Sequence, residues 1–468
     1  MVLSKYFKCI TDKPALSYKC GEKIVIRIVA RDNCIDIGCQ HIHWKIEGDD
    51  GQKKEGLGSC RPGKPLVLET SLSRPGFVHV TCRAYTSGGV IDYSFDLLEA
   101  SAGAEVEKLE YCDTIPEDFD AYWQELETLV ADFQPEVLYK KACAIADEVD
   151  VYDVRISTPE GRPASGYISI PRKEGKYPLM MSFMGYNVCG SPANHRSDAI
   201  VAVFNAHGIE NDLSAIELKE KYYHELVEPA YGFDETENAS NKTTYWRNMM
   251  LRNLVAAKYL KTLPQWDGER FVAEGVSQGA LQATTLAAHD KDVSFLEIGI
   301  PWFCNLNAEN HGYMAGWRPK YAEGLRYFDT VAQATRVTCP VSIRAYLGDY
   351  TCPPATIVVL YKAFKGRKSL DFIQAGNHVY RPPEIESYHW RYDPENPTGE
   401  VKKGIYRHYK GNEYRVLDTF LDSETCQPMV LYQALYGEGQ KWARPQYMFD
   451  EWILLEDRPV KRFTYIGE

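Results

Sequence analysis

The chain has 468 residues, of which 44% are hydrophobic and 25% are charged, a composition typical of a globular protein with roughly two to four domains. Its 53 lysines and arginines against 65 aspartates and glutamates give a net charge of −12, which argues against nucleic acid as a partner. No apolar stretch is long enough to span a membrane, and the first residues lack the apolar core of a secretory signal.

Thirteen cysteines are scattered over the chain, and their number is odd. Cys34 and Cys39 are isolated, without the second pair or the regularly spaced histidines that a zinc site requires. We therefore expect reduced thiols, no metal site and a cytoplasmic location.

Residues 1–105 contain short segments in which apolar and polar residues alternate, as they do in strands with one buried face. The alternation and the turn residues between the segments predict an immunoglobulin-like β-sandwich. We expect Ser-Ala-Gly-Ala at 101–104 to be a linker. The predicted strands are 23–29, 41–46, 65–69, 76–82 and 90–95.

Residues 106–395 change to an alternation of strands and helices, which predicts an α/β unit with a mostly parallel sheet and helices on both faces. The polar, poorly periodic stretch 211–244 is expected to be a lid or a substrate-side insertion. The clearest elements are a helix over 116–132, a strand over 199–204, a helix over 245–261 and a strand over 295–300.

A nucleophile elbow is predicted at Ser277. The segment 271–280 is an apolar run that ends in Gly-x-Ser-x-Gly, and a helix-forming run over 280–288 follows at once. A strand, sharp turn and helix of this kind hold the serine hydroxyl clear of the sheet. A Cβ on Gly275 or Gly279 would clash with the neighbouring strand and helix. The alternative is an ordinary turn in which the serine caps the helix.

A nucleophilic serine needs a base, and the base needs an acid that orients it. Asp349 and His378 follow Ser277 in the chain order acid then histidine, and each lies where a strand-like apolar run stops. The alternatives are a turn aspartate and an ordinary surface or core histidine. Asp371, inside a predicted strand, and His389, in a polar tail without a preceding strand, fit the two roles less well.

An oxyanion hole needs two backbone N–H groups. One normally comes from the residue after the nucleophile, here Gln278, and the other from the loop after an earlier strand. The predicted strand 177–183 runs into such a loop, in which Gly185 is expected to permit a close turn and Tyr186 to supply the second amide. A plain strand-ending turn is the alternative.

Several segments together resemble the acetyl xylan esterase and cephalosporin-C deacetylase family, carbohydrate esterase family seven, whose fold is the α/β-hydrolase. The resemblance covers roughly residues 106–390, in the order and at spacings similar to those of the family. The segments that carry it are 116–123, 184–187, 245–247, 275–279, 301–302, 347–349, 353–354 and 376–378.

The resemblance implies a catalytic triad of Ser277, Asp349 and His378. It also implies oxyanion amides at Tyr186 and Gln278, and an acyl pocket walled by Pro301 and Trp302. The implied activity is an acetyl esterase that needs no metal or organic cofactor.

Three positions depart from the family pattern. The family's Arg-Gly-Gln signature is replaced by His-Gly-Ile at 207–209, and the Glu that follows the catalytic histidine is Val379. Ala280 stands where the family has a second glycine after the elbow. None of these changes removes a catalytic group, but the first two put the family's usual pocket support, substrates and oligomer in doubt.

Residues 404–468 resemble a small bacterial domain of unknown function, which implies a small β-barrel-like unit and no chemistry. It begins with a predicted strand–turn–strand hairpin, and Trp442, Arg444 and Tyr447 are candidates for a ligand groove or for core packing. A polar break at 393–399 separates it from the catalytic part. Every predicted catalytic residue precedes this break, so we expect the unit to be dispensable for the chemistry.

The sequence thus predicts a serine carbohydrate esterase that removes acetyl groups from acetylated sugars or xylo-oligosaccharides through an acyl-enzyme. The expected partner is a small acetylated carbohydrate, with no nucleic acid and no membrane, and the chain is expected to be a possible homo-oligomer. Two alternatives stay open at this point. One is another serine acyl hydrolase or peptidase on the same fold, and the other is an inactive carbohydrate-binding protein.

Overall fold

A computed structural model gives the fold of the chain. It describes residues 6–30, 41–86, 88–93, 95, 97–381, 389–392, 401–423, 428–455 and 458–468. The described cysteines are free thiols. Cys34 and Cys39, the isolated pair, lie outside the described residues.

The described N-terminal residues form seven strands. These are β1 (Phe7–Thr11), β2 (Ile24–Ala30), β3 (His41–Gly48), β4 (Lys53–Ser59), β5 (Leu66–Thr70), β6 (Gly76–Tyr85) and β7 (Leu98–Ala104). They pair into two antiparallel sheets of order β1-β2-β5 and β4-β3-β6-β7. Residues from both sheets, among them Ile28 and Val80, form one buried cluster. The assignment of this pair of sheets as an immunoglobulin-like sandwich stays a prediction.

Two sequence expectations fail in this part. The described residues of 90–95 form no strand, and Ile91 makes a single bridge to Tyr85 instead. The predicted linker at 101–104 is wrong, because these residues belong to β7 and are buried. Their small side chains reflect close packing: a Cβ on Gly103 would lie 2.4 Å from the side chain of Val106. The other four predicted strands are present within a few residues of their expected limits.

The catalytic part is built on a ten-stranded mixed sheet. Its strands are β8 (Val137–Cys143), β9 (Val149–Ile156), β10 (Ala164–Pro171), β11 (Tyr177–Phe183), β12 (Ile200–Phe204), β13 (Trp266–Val276), β14 (Phe295–Gly299), β15 (Val341–Tyr346), β16 (Lys368–Ile373) and β17 (His389–Arg391). The order is β17-β16-β15-β14-β13-β11-β12-β10-β9-β8, and the six strands from β16 to β12 are parallel. The chain therefore has the α/β fold that the alternating pattern predicts.

Six helices accompany this sheet in the described residues. They are α1 (Phe119–Asp132), α2 (Ala215–Tyr222), α3 (Tyr245–Leu260), α4 (Gln278–His289), α5 (Thr330–Ala334) and α6 (Pro354–Ala363). Buried residues of all of them except α2 belong to one large cluster, which includes Met181 of β11. Successive residues of a strand face opposite sides, so the neighbouring Met180 belongs to the other face and to a second, small cluster. No helix residue joins that second cluster in the described ranges, so the expected helices on both faces are not found there.

The polar stretch 211–244 is ordered around the helix α2. Ser214 caps this helix, and its hydroxyl accepts from the Glu217 N–H while the Glu217 carboxylate accepts from the Ser214 N–H. The stretch continues through a π-helical turn (Tyr223–Val227) and ends at α3. None of the helices in the described residues is both long and apolar enough to cross a lipid bilayer.

The C-terminal part has its own sheet and its own small core. Its elements are β18 (Gly404–His408), β19 (Glu413–Leu421), β20 (Pro428–Ala434), β21 (Lys441–Pro445), α7 (Gln446–Asp450), β22 (Trp452–Leu455), β23 (Arg458–Lys461) and β24 (Phe463–Gly467). Five strands pair in the order β21-β20-β19-β18-β24, and the predicted hairpin is β18–β19. The rings of Phe449 and Phe463 stack 4.2 Å apart in the core. Trp442 is exposed rather than packed in this core, and the barrel-like closure stays a prediction.

Candidate active site

Ser277 is the single residue between β13 and α4. Its φ of 58° lies in the left-handed region, which a residue with a Cβ adopts at a cost of about 1–3 kcal/mol. Two backbone bonds hold this conformation: the Ser277 N–H donates to the Gly299 oxygen (2.9 Å), and the Trp302 N–H donates to the Ser277 oxygen (3.3 Å). The segment therefore has the strand, sharp turn and helix that the sequence predicts.

The two glycines beside Ser277 are sterically required. A Cβ on Gly275 would lie 2.1 Å from the Gly279 carbonyl oxygen, and a Cβ on Gly279 would lie 2.1 Å from the Phe183 carbonyl oxygen. This confirms the predicted reason for the Gly-x-Ser-x-Gly pattern. The expectation for Gly185 is wrong, because its nearest Cβ contact would be an ordinary 3.5 Å, to the Val276 oxygen, and its φ is not positive.

Asp349 and His378 meet at the ends of adjacent strands. Asp349 follows β15, His378 follows β16, and these strands are parallel neighbours in the sheet. The His378 Nδ1–H donates to Asp349 Oδ2 over 2.9 Å. The other carboxylate oxygen, Oδ1, accepts the Thr351 and Cys352 N–H groups, both at 2.9 Å. Asp349 is fully buried and accepts these three hydrogen bonds, so its orientation is fixed.

Cys352 connects this pair to Ser277. Its Sγ, a carboxylate oxygen of Asp349 and a ring nitrogen of His378 all lie within 4.8 Å of one another. Burial raises the pKa of the Cys352 thiol well above its ordinary value, against the opposite effect of a hydrogen bond with the Ser277 side chain. The three residues predicted as a triad therefore gather around one buried thiol. Cys352 has no motif of its own in the sequence, and only its position three residues after Asp349 could have pointed to it.

Asp349, Cys352 and His378 are also donor types that bind metal ions. The 2.9 Å hydrogen bond between Asp349 Oδ2 and His378 Nδ1 already uses one possible ligand atom of each residue. The arrangement is therefore that of an acid oriented towards a base rather than that of an open ligand set.

The loop after β11 brings Tyr186 next to Gln278, the first residue of α4. The Tyr186 hydroxyl donates to the Tyr231 carbonyl oxygen (3.0 Å), and the Tyr186 and Tyr231 rings stack 4.1 Å apart with their planes 3° apart. The Tyr231 hydroxyl in turn pairs with the Gln278 side chain at 2.8 Å. Within the described part of the chain, no loop, turn or cap hydrogen bond between backbone groups uses the Tyr186 or the Gln278 N–H as its donor. These two amides are the candidates for an oxyanion hole.

Tyr231 was missed by sequence reasoning, because it lies in the polar stretch 211–244 without a recognisable motif. Tyr231 forms hydrogen bonds with the side chains of both candidate oxyanion residues, through its carbonyl oxygen to Tyr186 and through its hydroxyl to Gln278. Phe233 of the same stretch packs against Tyr186 and Trp317, with ring centroids 6.0 and 4.8 Å away. The stretch thus contributes side chains to the site, as a substrate-side insertion would.

His207, which stands in the place of the family's arginine, supports the same loop. One ring nitrogen, Nε2, lies 2.7 Å from the Asn187 carbonyl oxygen, and the other, Nδ1, lies 2.6 Å from the Tyr245 hydroxyl. A carbonyl only accepts, so Nε2 carries the hydrogen and Nδ1 accepts from Tyr245. Burial lowers the pKa of His207 to about 4, which keeps this tautomer neutral.

Pro301 and Trp302 follow β14 and lie beside the elbow. Trp302 is buried, and its indole N–H donates to the Trp317 carbonyl oxygen. A small cavity of about 10 Å³ is lined by Pro301, Trp302 and Cys352. The indole of Trp317 stacks on that of Trp302 at 5.4 Å and is 43% exposed, so it stands at the mouth of the site.

The two rival residues lie elsewhere. Asp371 is inside β16 and lines a cavity of about 470 Å³ on the sheet face opposite the helices, together with Glu297 and Arg344. His389 belongs to the short strand β17, whereas the sequence suggested a tail without a strand. That cavity is lined by none of Ser277, Asp349 or His378.

The family comparison covers the part of the chain that contains this site. The family model of acetyl xylan esterase (AXE1) matches residues 102–311 and 318–393, which together are more than half of the chain. The chain belongs to the acetyl xylan esterase family. It is accordingly an acetyl xylan esterase-like hydrolase with a carbohydrate esterase core. Residues 404–465 match a second family, described as a protein of unknown function (DUF1653).

Three similar proteins place these matches in context. Acetyl esterase Axe7A of Xylanibacter ruminicola is 23% identical over 374 residues, which cover 75% of this chain and 82% of that protein. The acetyl xylan esterase from Paenibacillus sp. R4 is 18% identical, with a TM-score of 0.49 over 59% of this chain and 94% of that one. A DUF1653 protein from Bordetella bronchiseptica is 32% identical over 14% of this chain and 88% of that one, with a TM-score of 0.14.

Proposed function

We propose that the chain is a serine esterase that removes acetyl groups from acetylated sugars or xylo-oligosaccharides. The observation that carries the proposal is the 2.9 Å bond between His378 Nδ1 and Asp349 Oδ2 beside Ser277, in a chain of the acetyl xylan esterase family. Because Nδ1 donates to Asp349, the lone pair of the imidazole is on Nε2, where it can take the Ser277 proton. Asp349 orients the ring and stabilises the imidazolium.

The proposed reaction has two halves. Ser277 Oγ attacks the acetyl carbonyl while His378 takes its proton, and the Tyr186 and Gln278 N–H groups stabilise the oxyanion. His378 then protonates the sugar oxygen, the C–O ester bond breaks, and acetyl-Ser277 remains. Water attacks this ester with the same base and the same oxyanion hole, and acetate leaves.

The position of Trp302 supports a short acyl group. Trp302 is buried, its indole is held by the Trp317 backbone, and its backbone N–H donates to the Ser277 carbonyl oxygen. A longer acyl chain would have to displace these packed side chains. We therefore propose acetyl as the preferred acyl group and Pro301 and Trp302 as the wall that selects it.

The test is hydrolysis of p-nitrophenyl acetate and release of acetate from acetylated xylo-oligosaccharides. We expect Ser277→Ala and His378→Ala to lower kcat on the order of 10³-fold, and Asp349→Asn to lower it strongly, with thermal unfolding unchanged. Ser73→Ala, at an exposed serine of the N-terminal part, is the matched control and should keep full activity. Near-normal turnover by His378→Ala would identify another base.

The same assays separate the two alternatives. Cleavage of peptide amides in preference to acetate esters would indicate a peptidase. A wild-type chain that binds acetylated xylo-oligosaccharides but releases no acetate would be an inactive carbohydrate-binding protein.

We also propose the domain organisation 1–105, 106–395 and 404–468. Three buried clusters support it, each centred in one of these parts, and the second family match begins at residue 404. The cytoplasmic location and the homo-oligomer stay predictions.

A further inference from the structure

The loop that carries Asp349 is packed against the N-terminal sheets. Tyr350, the next residue, stacks its ring on His79 of β6, with centroids 3.5 Å and planes 14° apart. Its hydroxyl lies 2.9 Å from Ser101 Oγ of β7. Ser101 Oγ donates its only proton to the Val78 carbonyl oxygen (2.6 Å), so the Tyr350 hydroxyl is the donor in the second bond. Burial raises the pKa of Tyr350 well above its ordinary value, which keeps this donor protonated.

The loop that carries His378 is fixed to the same residue of β7. Gln374, which follows β16 and is buried, pairs with the Ser101 backbone at two points. The Ser101 N–H donates to Gln374 Oε1 (3.2 Å), and Gln374 Nε2 donates to the Ser101 carbonyl oxygen (2.9 Å). The next residue, Ala375, has a positive φ of 59° and packs against the buried cluster of the N-terminal sheets. This two-point pairing sets the direction in which the chain leaves β16 towards His378.

The acid and base loops also touch each other at this interface. The Gly348 N–H donates to the Gly376 carbonyl oxygen over 3.0 Å. A Cβ on Gly348 would lie 2.6 Å from the Gly376 oxygen and 2.7 Å from the Glu99 oxygen of β7. Three chain segments therefore meet with no room for a methyl group, so a shift of β7 is transmitted to both loops.

The N-terminal sheets contact the catalytic part through buried apolar packing as well as through hydrogen bonds. Phe77 of β6 and Leu16 belong to the main buried cluster of the catalytic part, and Phe77 packs against Phe372 of β16 with ring centroids 6.2 Å apart. Phe77 directly precedes Val78 and His79 in β6, and these two residues belong to the polar network around Ser101 and Tyr350. The position of β6 and β7 relative to β16 is thus held by packing as well as by hydrogen bonds.

We propose that Ser101, with its partners Tyr350 and Gln374, is a positioning residue that aligns Asp349 with His378. This rests on the proposed function, in which those two residues are the acid and the base. Ser101 acts through the two loops and touches no reacting atom. The N-terminal sheets are then a structural support of the active site, and the esterase requires them for its chemistry.

The consequence is measurable because catalysis is sensitive to small displacements. A misplacement of about 1 Å in a catalytic group costs on the order of 10²-fold in rate. Loss of one hydrogen bond to one loop should shift the loop by less, so we expect kcat to fall on the order of 10-fold with KM unchanged. The acidic limb of the kcat/KM profile should also move, because the imidazolium loses part of its support from Asp349.

The experiment compares Ser101→Ala and Tyr350→Phe with a matched control, Tyr18→Phe, in the full chain. Tyr18 is a buried tyrosine of the N-terminal part whose hydroxyl donates to Asp12. All three variants lose one buried hydroxyl, but only the first two lose a contact to the acid loop. The readouts are kcat, KM and the pH profile on p-nitrophenyl acetate, the thermal midpoint, and the rate of Ser277 labelling by a fluorophosphonate probe.

We expect Ser101→Ala and Tyr350→Phe to lower kcat and the labelling rate, while Tyr18→Phe lowers the thermal midpoint and keeps both rates. Tyr350→Phe retains the ring stack on His79, so it gives the answer if Ser101→Ala does not fold. Unchanged labelling and pH profile in Tyr350→Phe would overturn the positioning role, as would an equal loss of kcat in Tyr18→Phe. A wild-type chain that the probe does not label would overturn the proposed function itself, and the positioning role with it.

Discussion

The contribution of His207 to stability should fall in mild acid, because its ring holds the Asn187 carbonyl next to the candidate oxyanion residue Tyr186. The folded protein keeps this ring neutral, because burial lowers its pKa to about 4 from an ordinary value of 6.5. Protonation of Nδ1 would remove the acceptor for the Tyr245 hydroxyl. The perturbation we consider is a drop in pH from 7 to 5, applied to the wild type and to His207→Gln.

The direction of the change in the free energy of unfolding depends on whether the folded or the unfolded chain binds the proton at His207. Between pH 6.5 and about 4 the unfolded chain protonates this histidine and the folded chain does not, so the stability that His207 contributes falls as the pH falls. The loss reaches roughly 3 kcal/mol once the folded state is also protonated, and about 2 kcal/mol of it occurs between pH 7 and pH 5. Asp49 and Asp329 act in the opposite direction in this window, because burial raises the pKa of each to about 6.

The assay is urea unfolding of both proteins at pH 5, 7 and 8. A glutamine at 207 can donate to Asn187 and accept from Tyr245 without titrating, so the variant should lose about 2 kcal/mol less than the wild type between pH 7 and pH 5. The contributions of Asp49 and Asp329 are the same in both proteins and cancel in the comparison. Between pH 7 and pH 8 the two proteins should change in parallel, which is the internal control. Equal losses between pH 7 and pH 5 would refute the assignment of His207 as a buried neutral base.

Three further predictions concern the site and its surroundings. Gly279→Ala should lower stability by about 1–3 kcal/mol and kcat by at least 10²-fold, because its Cβ would press on the Phe183 oxygen and displace the oxyanion loop; Gly185→Ala, with its nearest contact at 3.5 Å, should leave urea unfolding unchanged, and the reverse order would contradict the steric argument. Hydrolysis rates on p-nitrophenyl esters should fall from acetate to butyrate to octanoate, because the buried Trp302 lies beside Ser277 and leaves little room for a longer acyl chain, and faster hydrolysis of octanoate would contradict the acetyl-esterase proposal. A chain that ends at Thr398 should keep most of its activity on p-nitrophenyl acetate, because every proposed catalytic residue precedes it, and an insoluble or inactive product would show that the C-terminal sheet is structurally part of the catalytic unit.

Local sequence was sufficient for the elbow and for the order of the chemical groups. A Gly-x-Ser-x-Gly segment between an apolar run and a helix-forming run predicts a strand, a sharp turn and a helix, because the turn at Ser277 has room only for small neighbouring residues. Asp349 and His378 could be predicted as well, since the ends of neighbouring parallel strands lie at the same edge of a sheet. The elbow depends on residues close together in the chain, and the prediction of Asp349 and His378 depends on the topology of a parallel sheet.

Other features depended on which segments pack together. The stretch 101–104 has the composition of a linker, yet it is a buried strand, in which Ser101 bonds to Tyr350 and a Cβ on Gly103 would clash with Val106. Cys352 had no motif of its own, and its place beside Ser277 and His378 follows from the turn that Asp349 caps. The second face of the sheet, whose small apolar cluster no helix of the described residues joins, was likewise not predictable from the alternation of strands and helices.

The sequence by itself therefore determined the α/β framework, and it supplied the proposed reacting groups and their order along the chain. Only the tertiary structure decided what holds those groups in register. Ser101 and Gln374 are 273 residues apart, and their pairing exists because β7 and β16 come together across two different sheets. Hydrogen bonds between such distant residues leave no periodic pattern in the sequence, since the strand of Ser101 and the strand before Gln374 each follow their own local pattern.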